Sequence, residues 1–176
     1  MKLFITSNQQ FGREGAIQQY SRKFKDAKQM DEHMIKQWNS VVSDEDLVYV
    51  VGNFAWDPER AEYAIKRLNG TIIIMNGKWD RASKDLVSKL GSELGIAYNE
   101  EAIKYLNDIN VVLSYWPLSD WPHREEGSIS VIGIPKAQFN TNHEIKRVNV
   151  AVDYWDFKPV DIKKVIQLFS DPDLKS

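Results

Sequence analysis

The 176-residue sequence contains no cysteine. This absence excludes a disulfide framework and thiolate metal sites, and it is typical of proteins from a reducing compartment. Long hydrophobic runs are also missing: the apolar segments at residues 3–5 and 47–51 are far shorter than the roughly 20 residues of a membrane-spanning helix. The first of them is too short for the core of a signal peptide. The sequence therefore predicts a cytoplasmic protein without a membrane segment.

The sequence also has no large excess of positive or negative charge. The chain has 23 basic and 25 acidic residues and a formal net charge of −2. No overall field of this size attracts nucleic acid or an anionic membrane, so any such contact would have to be local. The content of 43% hydrophobic and 27% charged residues is that of an ordinary globular protein. With no repeat or low-complexity linker, residues 1–176 are expected to form one domain.

Short apolar runs alternate with helical periodicity in the first half of the chain. Residues 3–5, 47–51 and 72–75 are almost continuously apolar, which is typical of strands covered on both faces. The residues between them predict two amphipathic helices, the second capped by Asp57 and Pro58 and followed by a stop at Gly70. The apolar faces of these helices consist of Met30, Met34, Trp38 and Val41, and of Ala61, Ala64, Ile65 and Leu68. This order of elements predicts a layered α/β domain.

The second half of the chain reads mainly as strands. Residues 103–106 and 109–113 flank Asn107-Asp108 and predict a hairpin. Further strands are expected at residues 129–132 and 148–152, and a last helix from Val160 to at least Leu168. The polar segment at 118–127 is the expected mobile loop.

Five loops give the sequence its functional signal. They follow the predicted strands in order, at residues 7–12, 52–53, 77–80, 114–117 and 132–136. Their order and context resemble the five metal-binding loops of calcineurin-like metallophosphoesterases, in particular the compact single-domain members of bacteria and phages. The resemblance implies a four-layer α-β-β-α sandwich, in which two mixed sheets pack together between helices and the five loops cluster at one end.

The same resemblance implies that every metal ligand of the family has been replaced. The family's site holds two cations through carboxylate and imidazole ligands, and these cations activate a water molecule. The corresponding positions here are Asn8, Gln10, Asn53, Lys78, Trp79, Asp80, Tyr115, Ile134 and Lys136. Amides offer no negative charge, Ile134 offers no ligand atom, and the two lysines repel metal ions. Trp79 stands at the position of the catalytic histidine and has no proton to exchange near neutral pH.

Asp80 is retained, but in the family this residue supports the catalytic histidine, so it has no catalytic partner here. His33, His123 and His143 have no metal-ligand spacing among themselves and are expected at the surface. We therefore expect no catalytic residue, no metal and no other cofactor, and we do not expect an enzyme.

The vacated site can be interpreted in two ways. In one interpretation Arg13, Lys78 and Lys136 converge and hold an anion without metal, since lysine and arginine are ordinary phosphate ligands. The simpler alternative is that these are separate solvated charges. Such a site would bind a nucleotide or another phosphorylated small molecule, as a sensor or sponge.

In the other interpretation the loops form a protein-binding surface. Trp79, Tyr115 and Trp116 place large aromatic side chains where the family has compact ligands, with Trp56 and Trp121 expected near the same mouth. Core packing is the alternative use of loop tryptophans, and it is the expected use of Trp38 and Trp155.

The favoured hypothesis is a pseudo-phosphoesterase that binds or inhibits a protein partner through the vacated face. The resemblance to compact phage members makes a phage factor acting on a host protein one form of this hypothesis. The phosphorylated-ligand binder is the alternative, and a weak phosphodiesterase is the least favoured interpretation.

The replacement of the ligands generates a first prediction. The purified protein is expected to carry no stoichiometric Mn, Fe, Ni or Zn, and to hydrolyse phosphodiester model substrates no faster than background when Mn²⁺ is added. Elemental analysis and a chromogenic phosphodiesterase assay measure the two quantities. Near one metal ion per chain, or a turnover that Asp80→Ala abolishes, would contradict this prediction.

Overall fold

The computed structural model describes residues 1–94, 96–135 and 141–170. Within these residues the strands, in chain order, are β1 (Leu3–Thr6), β2 (Leu47–Val51), β3 (Thr71–Met75), β4 (Ile96–Asn99), β5 (Ile103–Leu106), β6 (Val111–Ser114), β7 (Ile129–Ile132), β8 (Thr141–Asn142), β9 (Arg147–Asn149) and β10 (Val160–Asp161). The helices are α1 (Glu14–Gln19), α2 (Ala27–Asn39), α3 (Pro58–Ile65), α4 (Arg81–Leu94) and α5 (Ile162–Ser170). Two single turns of 3₁₀-helix occupy Asn107–Ile109 and Val152–Tyr154.

The strands form two mixed sheets of five strands each within the described residues. The first has the order β10-β1-β2-β3-β4, in which β1 to β4 are parallel and β10 is antiparallel at the edge. The second has the order β5-β6-β7-β9-β8, with a parallel centre and an antiparallel strand at each edge. Two mixed sheets with helices confirm the α/β class and the sandwich arrangement of sheets.

The first sheet is buried on both faces, which explains its nearly continuous apolar strands. Neighbouring residues of β1 point to opposite sides: Phe4 packs with the helices, whereas Ile5 faces the second sheet. The helical side is filled by Met30, Met34 and Trp38 from α2 and by small residues of α3. On the other side, the apolar faces of the two sheets pack against each other through Ile5, Val51, Met75, Leu113, Val131 and Val148.

Local signals explain where the predicted helices begin. The Asp57 side chain accepts a hydrogen bond of 2.8 Å from the Arg60 amide, and Pro58 occupies the first turn of α3, as expected. Both helices end before their predicted apolar faces do: Val41 lies beyond the end of α2, and Leu68 lies beyond the end of α3. Gly70, with φ of 91°, belongs to the turn before β3 and does not end the helix.

Two expected elements in the second half have different bounds. The strand expected to continue to Val152 ends at Asn149, whose side-chain oxygen accepts a hydrogen bond from the Ala151 amide and turns the chain. The helix expected from Val160 begins at Ile162, since residues 160–161 pair with β1. The hairpin of β5 and β6 is confirmed, with a 3₁₀ turn in its loop.

The segment at 118–127 covers the outer face of the second sheet and is not the free loop that its polar sequence suggested. Trp121 is only 5% exposed and packs with its ring 4.8 Å from the guanidinium of Arg147 in β9. The Trp121 indole donates a 3.0 Å hydrogen bond to the Ser128 hydroxyl, and His123 stacks on Tyr105 at 4.4 Å. The expectation that Trp121 lies at the mouth of the site is therefore wrong.

None of the described helices is long and apolar enough to cross a membrane.

The covering segment generates a stability prediction. Trp121→Ala is expected to lower the free energy of unfolding by about 3–5 kcal/mol, because it leaves a cavity and uncovers Arg147. Trp116→Ala is the matched control, since Trp116 is 53% exposed, and we expect a change within about 0.5 kcal/mol. Urea denaturation of both variants measures the difference. Equal losses would contradict the packing described here.

Candidate functional site

The two sheets are joined at one end by the residue that follows β1. Ser7 pairs with Ala151, which follows β9 in the other sheet, and the Val152 amide donates to the Ser7 carbonyl at 3.0 Å. The Ser7 hydroxyl lies 2.7 Å from the carbonyl oxygens of both Val51 and Gly133. A Cβ at Gly133 would collide with the Ser7 hydroxyl and the Val51 carbonyl, so only glycine fits. Three of the five predicted loops meet at this junction.

A buried carboxylate joins the second and third loops. Asp80 accepts backbone hydrogen bonds from Asn53 at 2.5 Å, from Phe54 at 2.8 Å and from Gly77 at 2.8 Å. The Ser83 hydroxyl lies at 3.3 Å from the same group. Burial raises the pKa of Asp80, while these hydrogen bonds oppose the rise. The three backbone donors belong to the protein's own loops and Ser83 belongs to the first turn of α4, so Asp80 holds these segments together.

Neutral side chains fill the space between the loops. The Asn8 side-chain oxygen accepts from the Gln10 and Asn53 amides, the second at 3.3 Å. The Asn53 amide also donates to the Tyr115 hydroxyl at 2.7 Å, and the Asn53 oxygen accepts from the Trp79 backbone at 3.0 Å. Asn8, Gln10, Asn53 and Tyr115 are all buried, and we call these four residues the amide network. Burial raises the pKa of Tyr115 to about 12.

Three members of the amide network have left-handed backbones. The φ angles are 65° at Asn8, 56° at Gln10 and 56° at Asn53. Asparagine tolerates this conformation better than most residues, because its short side chain bonds locally. The loops therefore keep tight backbone shapes while their side chains are directed at one another.

The residues present do not fit a two-metal centre. Each amide oxygen of Asn8 and Asn53 already accepts a hydrogen bond, and Asp80 is saturated by loop donors. Within the described ranges, no three His, Asp or Glu side chains lie close enough together to hold a metal ion. Two divalent cations would meet amide NH₂ groups and no free carboxylate.

Above the amide network lies an exposed surface of aromatic and basic side chains. Trp56, Trp79 and Trp116 are 47%, 38% and 53% exposed. The Arg13 guanidinium lies 4.7 Å from the Trp56 ring and 6.0 Å from the Trp79 ring, and the Lys78 ammonium lies 4.8 Å from the Trp79 ring. Trp56 and Trp79 contact each other at 5.4 Å. Trp116 is connected to this group through Tyr115, which it contacts, and Asn53, whose side chain bonds both the Tyr115 hydroxyl and the Trp79 backbone. We call Trp56, Trp79, Trp116, Arg13 and Lys78 the aromatic–cationic surface.

The remaining site candidates have different positions. Tyr115 is 5% exposed and packs edge-on against Trp116 at 4.8 Å, so it supports the surface from below and is not an exposed anchor. Ile134 is half-buried, and its carbonyl accepts a 2.6 Å hydrogen bond from Asn149. Lys136 lies outside the described residues. The five loops meet as predicted, as far as residue 135.

Other aromatic residues and the histidines have structural roles. Trp38 is buried in the helical core as expected, and Trp155 is half-buried and donates to the Asn149 carbonyl at 2.8 Å. His123 is exposed and lies 2.5 Å from the Glu126 carboxylate, whereas His33 and His143 are half-buried. In the described part of the chain, no histidine hydrogen-bonds to the amide network.

Sequence reasoning missed one ion pair beneath the first loop. Arg22 binds Asp153 with two hydrogen bonds of 2.8 and 2.9 Å, and it donates to the carbonyl oxygens of Asn8 and Gln9. Asp153 accepts in turn from the Asn8 side chain at 3.2 Å. The two partners are 131 residues apart, so no local pattern could have indicated this contact.

Comparisons with known proteins bear on the fold. No family model matches the chain. An uncharacterized protein of Methanocaldococcus jannaschii, MJ1445, is 24% identical over 172 residues, which cover 95% of this chain and 90% of that protein. The crystal structure of a protein of unknown function from Aquifex aeolicus, AQ665, superposes with a TM-score of 0.70 at 19% identity and covers 95% of this chain and 98% of that one. This likeness shows a shared α/β fold.

The amide network generates a prediction with a pH signature. Tyr115→Phe is expected to cost about 1–3 kcal/mol at neutral pH, because the buried Asn53 amide loses its nearest acceptor. The folded pKa of Tyr115, about 12, exceeds its ordinary value of 10.0, so the wild-type protein loses stability as the pH rises from 10 to 12. The variant should lose less over that range. Denaturation at pH 7, 10 and 11.5 measures both effects.

Tyr63→Phe is the control at pH 7, because Tyr63 is exposed and distant in sequence from the five loops. The hydrogen bond to Glu32 raises the pKa of Tyr63 as well, so this variant does not serve as the control at pH 10 and 11.5. A Tyr115 variant as stable as wild type at pH 7 would show that Asn53 does not depend on the hydroxyl.

Proposed function

We propose that this protein is a non-catalytic member of the calcineurin-like metallophosphoesterase type, and that it binds a protein partner through the aromatic–cationic surface. We also propose that its fold is the four-layer α-β-β-α sandwich of that family. Support comes from the convergence of the five loops at one end of two mixed sheets. The amide network supports the non-catalytic part of the proposal, since its polar groups are used within the protein.

Exposure of three tryptophans on neighbouring loops is the observation that carries the proposal. Among the described residues, Met1, Trp56, Tyr63, Trp79, Ile103 and Trp116 are the large hydrophobic side chains with substantial exposure, and half of these belong to one surface. Tryptophan is the residue type most enriched at the centres of protein interfaces. A fold that needed only stability would bury these rings or replace them, because exposed apolar area gains nothing from folding.

The charges of the surface indicate the kind of partner. Neither Arg13 nor Lys78 forms an ion pair with any described residue, and both cations lie against tryptophan rings. The nearby carboxylate of Asp80 is buried beneath the loops. An acidic protein segment with apolar side chains would meet both features, since its carboxylates would pair with the cations while its apolar groups cover the rings. We propose a cytoplasmic partner, which would be a host protein if the gene belongs to a phage.

A phosphorylated small molecule is the second candidate for the same surface. The observation in its favour is the exposed Lys78 ammonium without a carboxylate partner in the described residues. Arg13 does not separate the two candidates, because the hydrogen bonds of its guanidinium to the side-chain oxygens of Gln10 and Gln19 limit its contact with a phosphate and with a carboxylate alike. A weak phosphodiesterase is disfavoured, because the side chains of the amide network offer no free carboxylate or imidazole that could hold a catalytic metal ion.

Substitutions at the surface test the proposal against the partner, which is first identified by capture with the wild-type protein. Trp79→Ala or Trp116→Ala is expected to cost roughly 2 kcal/mol or more of binding free energy, because each removes an anchor ring. Lys78→Glu is expected to slow association and change its salt dependence. Lys163→Glu, on the exposed side of α5, is the matched charge control. Surface plasmon resonance at two salt concentrations measures both rates.

Two outcomes would contradict the proposal. If the Trp79, Trp116 and Lys78 variants bind like wild type while remaining folded, the active surface lies elsewhere. If Lys78→Glu abolishes binding of a phosphorylated compound while Trp116→Ala has little effect, the surface binds that compound.

A further inference from the structure

A cavity of about 400 Å³ is lined in part by Tyr20, Arg22 and Asp153. Its walls come from the segment between α1 and α2, from α2 itself, and from the turn that follows Val152–Tyr154. This volume is that of a small-molecule site and not of a protein interface. The cavity shares no lining residue with the aromatic–cationic surface.

Aromatic rings form its walls. The rings of Phe24 and Phe157 lie 5.3 Å apart, and His33 lies 5.2 Å from the first and 5.4 Å from the second. All three side chains are half-buried and line the cavity. Rings in such an arrangement accept a planar ligand by stacking or edge contact.

The backbone of one wall is strained. Asp156 and Phe157 have consecutive left-handed φ angles of 54° and 58°. For a bulky residue such as phenylalanine this conformation is rare and unfavourable, so the surrounding structure must hold it. The strain places the Phe157 ring against Phe24 and His33, where it completes the aromatic wall.

The floor of the cavity is the Arg22–Asp153 ion pair. The Arg22 side chain is 1% exposed, whereas that of Asp153 is 17% exposed. A ligand in the cavity therefore meets the carboxylate, whose oxygens accept from N–H donors. The Arg22 guanidinium lies behind it, between two carbonyl oxygens and the Tyr20 ring.

The charged residues that line the cavity determine which ligand charge it accepts. A cationic ligand is disfavoured, because Arg22 and the exposed Lys23 line the same cavity. A neutral heterocycle with ring N–H or amino donors can add a hydrogen bond to the exposed part of Asp153, which already accepts from Arg22 and Asn8, and an anionic substituent on that ligand pairs with Lys23. We propose that this cavity binds a planar heteroaromatic molecule with N–H donors and an anionic group, the chemistry of a nucleoside monophosphate. This inference does not rest on the proposed protein partner.

Titration of the ¹⁵N-labelled full chain with AMP, GMP, CMP and UMP, followed by NMR, tests the inference. At least one nucleotide is expected to bind with a Kd below about 1 mM and to shift the amide signals of Phe24, His33 and Phe157. The matching nucleoside should bind more weakly, and inorganic phosphate alone should not shift these signals. Binding of phosphate equal to that of the nucleotide, or no binding of any nucleotide, overturns the proposal.

Variants separate the contributions of charge and ring. Lys23→Glu is expected to weaken nucleotide binding about tenfold and nucleoside binding little, because only the nucleotide carries the phosphate. Lys28→Glu makes the same charge change at an exposed position of α2 that does not line the cavity, and it should have no effect. Phe24→Leu keeps the packing volume but removes the ring, and it should weaken both ligands about tenfold. The NMR spectrum of each variant verifies its fold.

Trp79→Ala distinguishes this cavity from the aromatic–cationic surface. It should leave nucleotide binding unchanged. If Trp79→Ala or Lys78→Glu weakens the nucleotide while Lys23→Glu does not, the ligand occupies the aromatic–cationic surface and the cavity assignment is wrong.

Discussion

Close approach of backbone segments at one end of the two sheets is the constraint on which the rest of the structure depends. At Gly77 a Cβ would lie 2.5 Å from the Asn53 nitrogen and 2.6 Å from an Asp80 oxygen. At Gly133 it would overlap the Ser7 hydroxyl. Ser7 joins the two sheets and Asp80 joins the second and third loops, so both depend on glycines that leave room for them. Both hydrogen-bonding groups have their partners within the protein.

These loops therefore combine a closed polar interior with an exposed aromatic exterior. Inside, the side chains of the amide network bond to one another and to Arg13, Asp153 and the Trp79 backbone, which stabilises buried polar groups that would otherwise be costly. Outside, the same loops present tryptophan rings and two cations without ion-pair partners among the described residues. A loop scaffold with strained left-handed turns can thus serve recognition, because rigid loops lose little entropy on binding. The Arg22–Asp153 pair extends the closed interior to a second concave region behind the first loop.

Several elements were predictable because their cause is local. The apolar runs of β1, β2 and β3 need cover on both faces wherever they lie in space, and Asp57-Pro58 caps a helix in any context. The convergence of the loops was expected from the family resemblance, and the parallel course of β1 to β3 and of β6 and β7 explains it within each sheet. Strand β10 and the early end of β9 were not, because the first requires a partner more than 150 residues away and the second depends on a side chain that turns its own backbone.

Two tryptophans show most clearly that the burial of a residue could not be predicted from its type and local sequence. Trp116 and Trp121 lie five residues apart in one polar stretch, yet one is exposed and the other is buried against Arg147. Tyr115 is an aromatic residue next to Trp116 in the chain, but it is buried and its hydroxyl accepts a hydrogen bond from the Asn53 side chain. The sequence by itself determined the α/β class, the order of the five loops and the absence from these loops of histidine and of any carboxylate other than Asp80. Only the tertiary structure decided which aromatic rings reach solvent and which groups pair, because burial and long-range contacts depend on segments far apart in the chain.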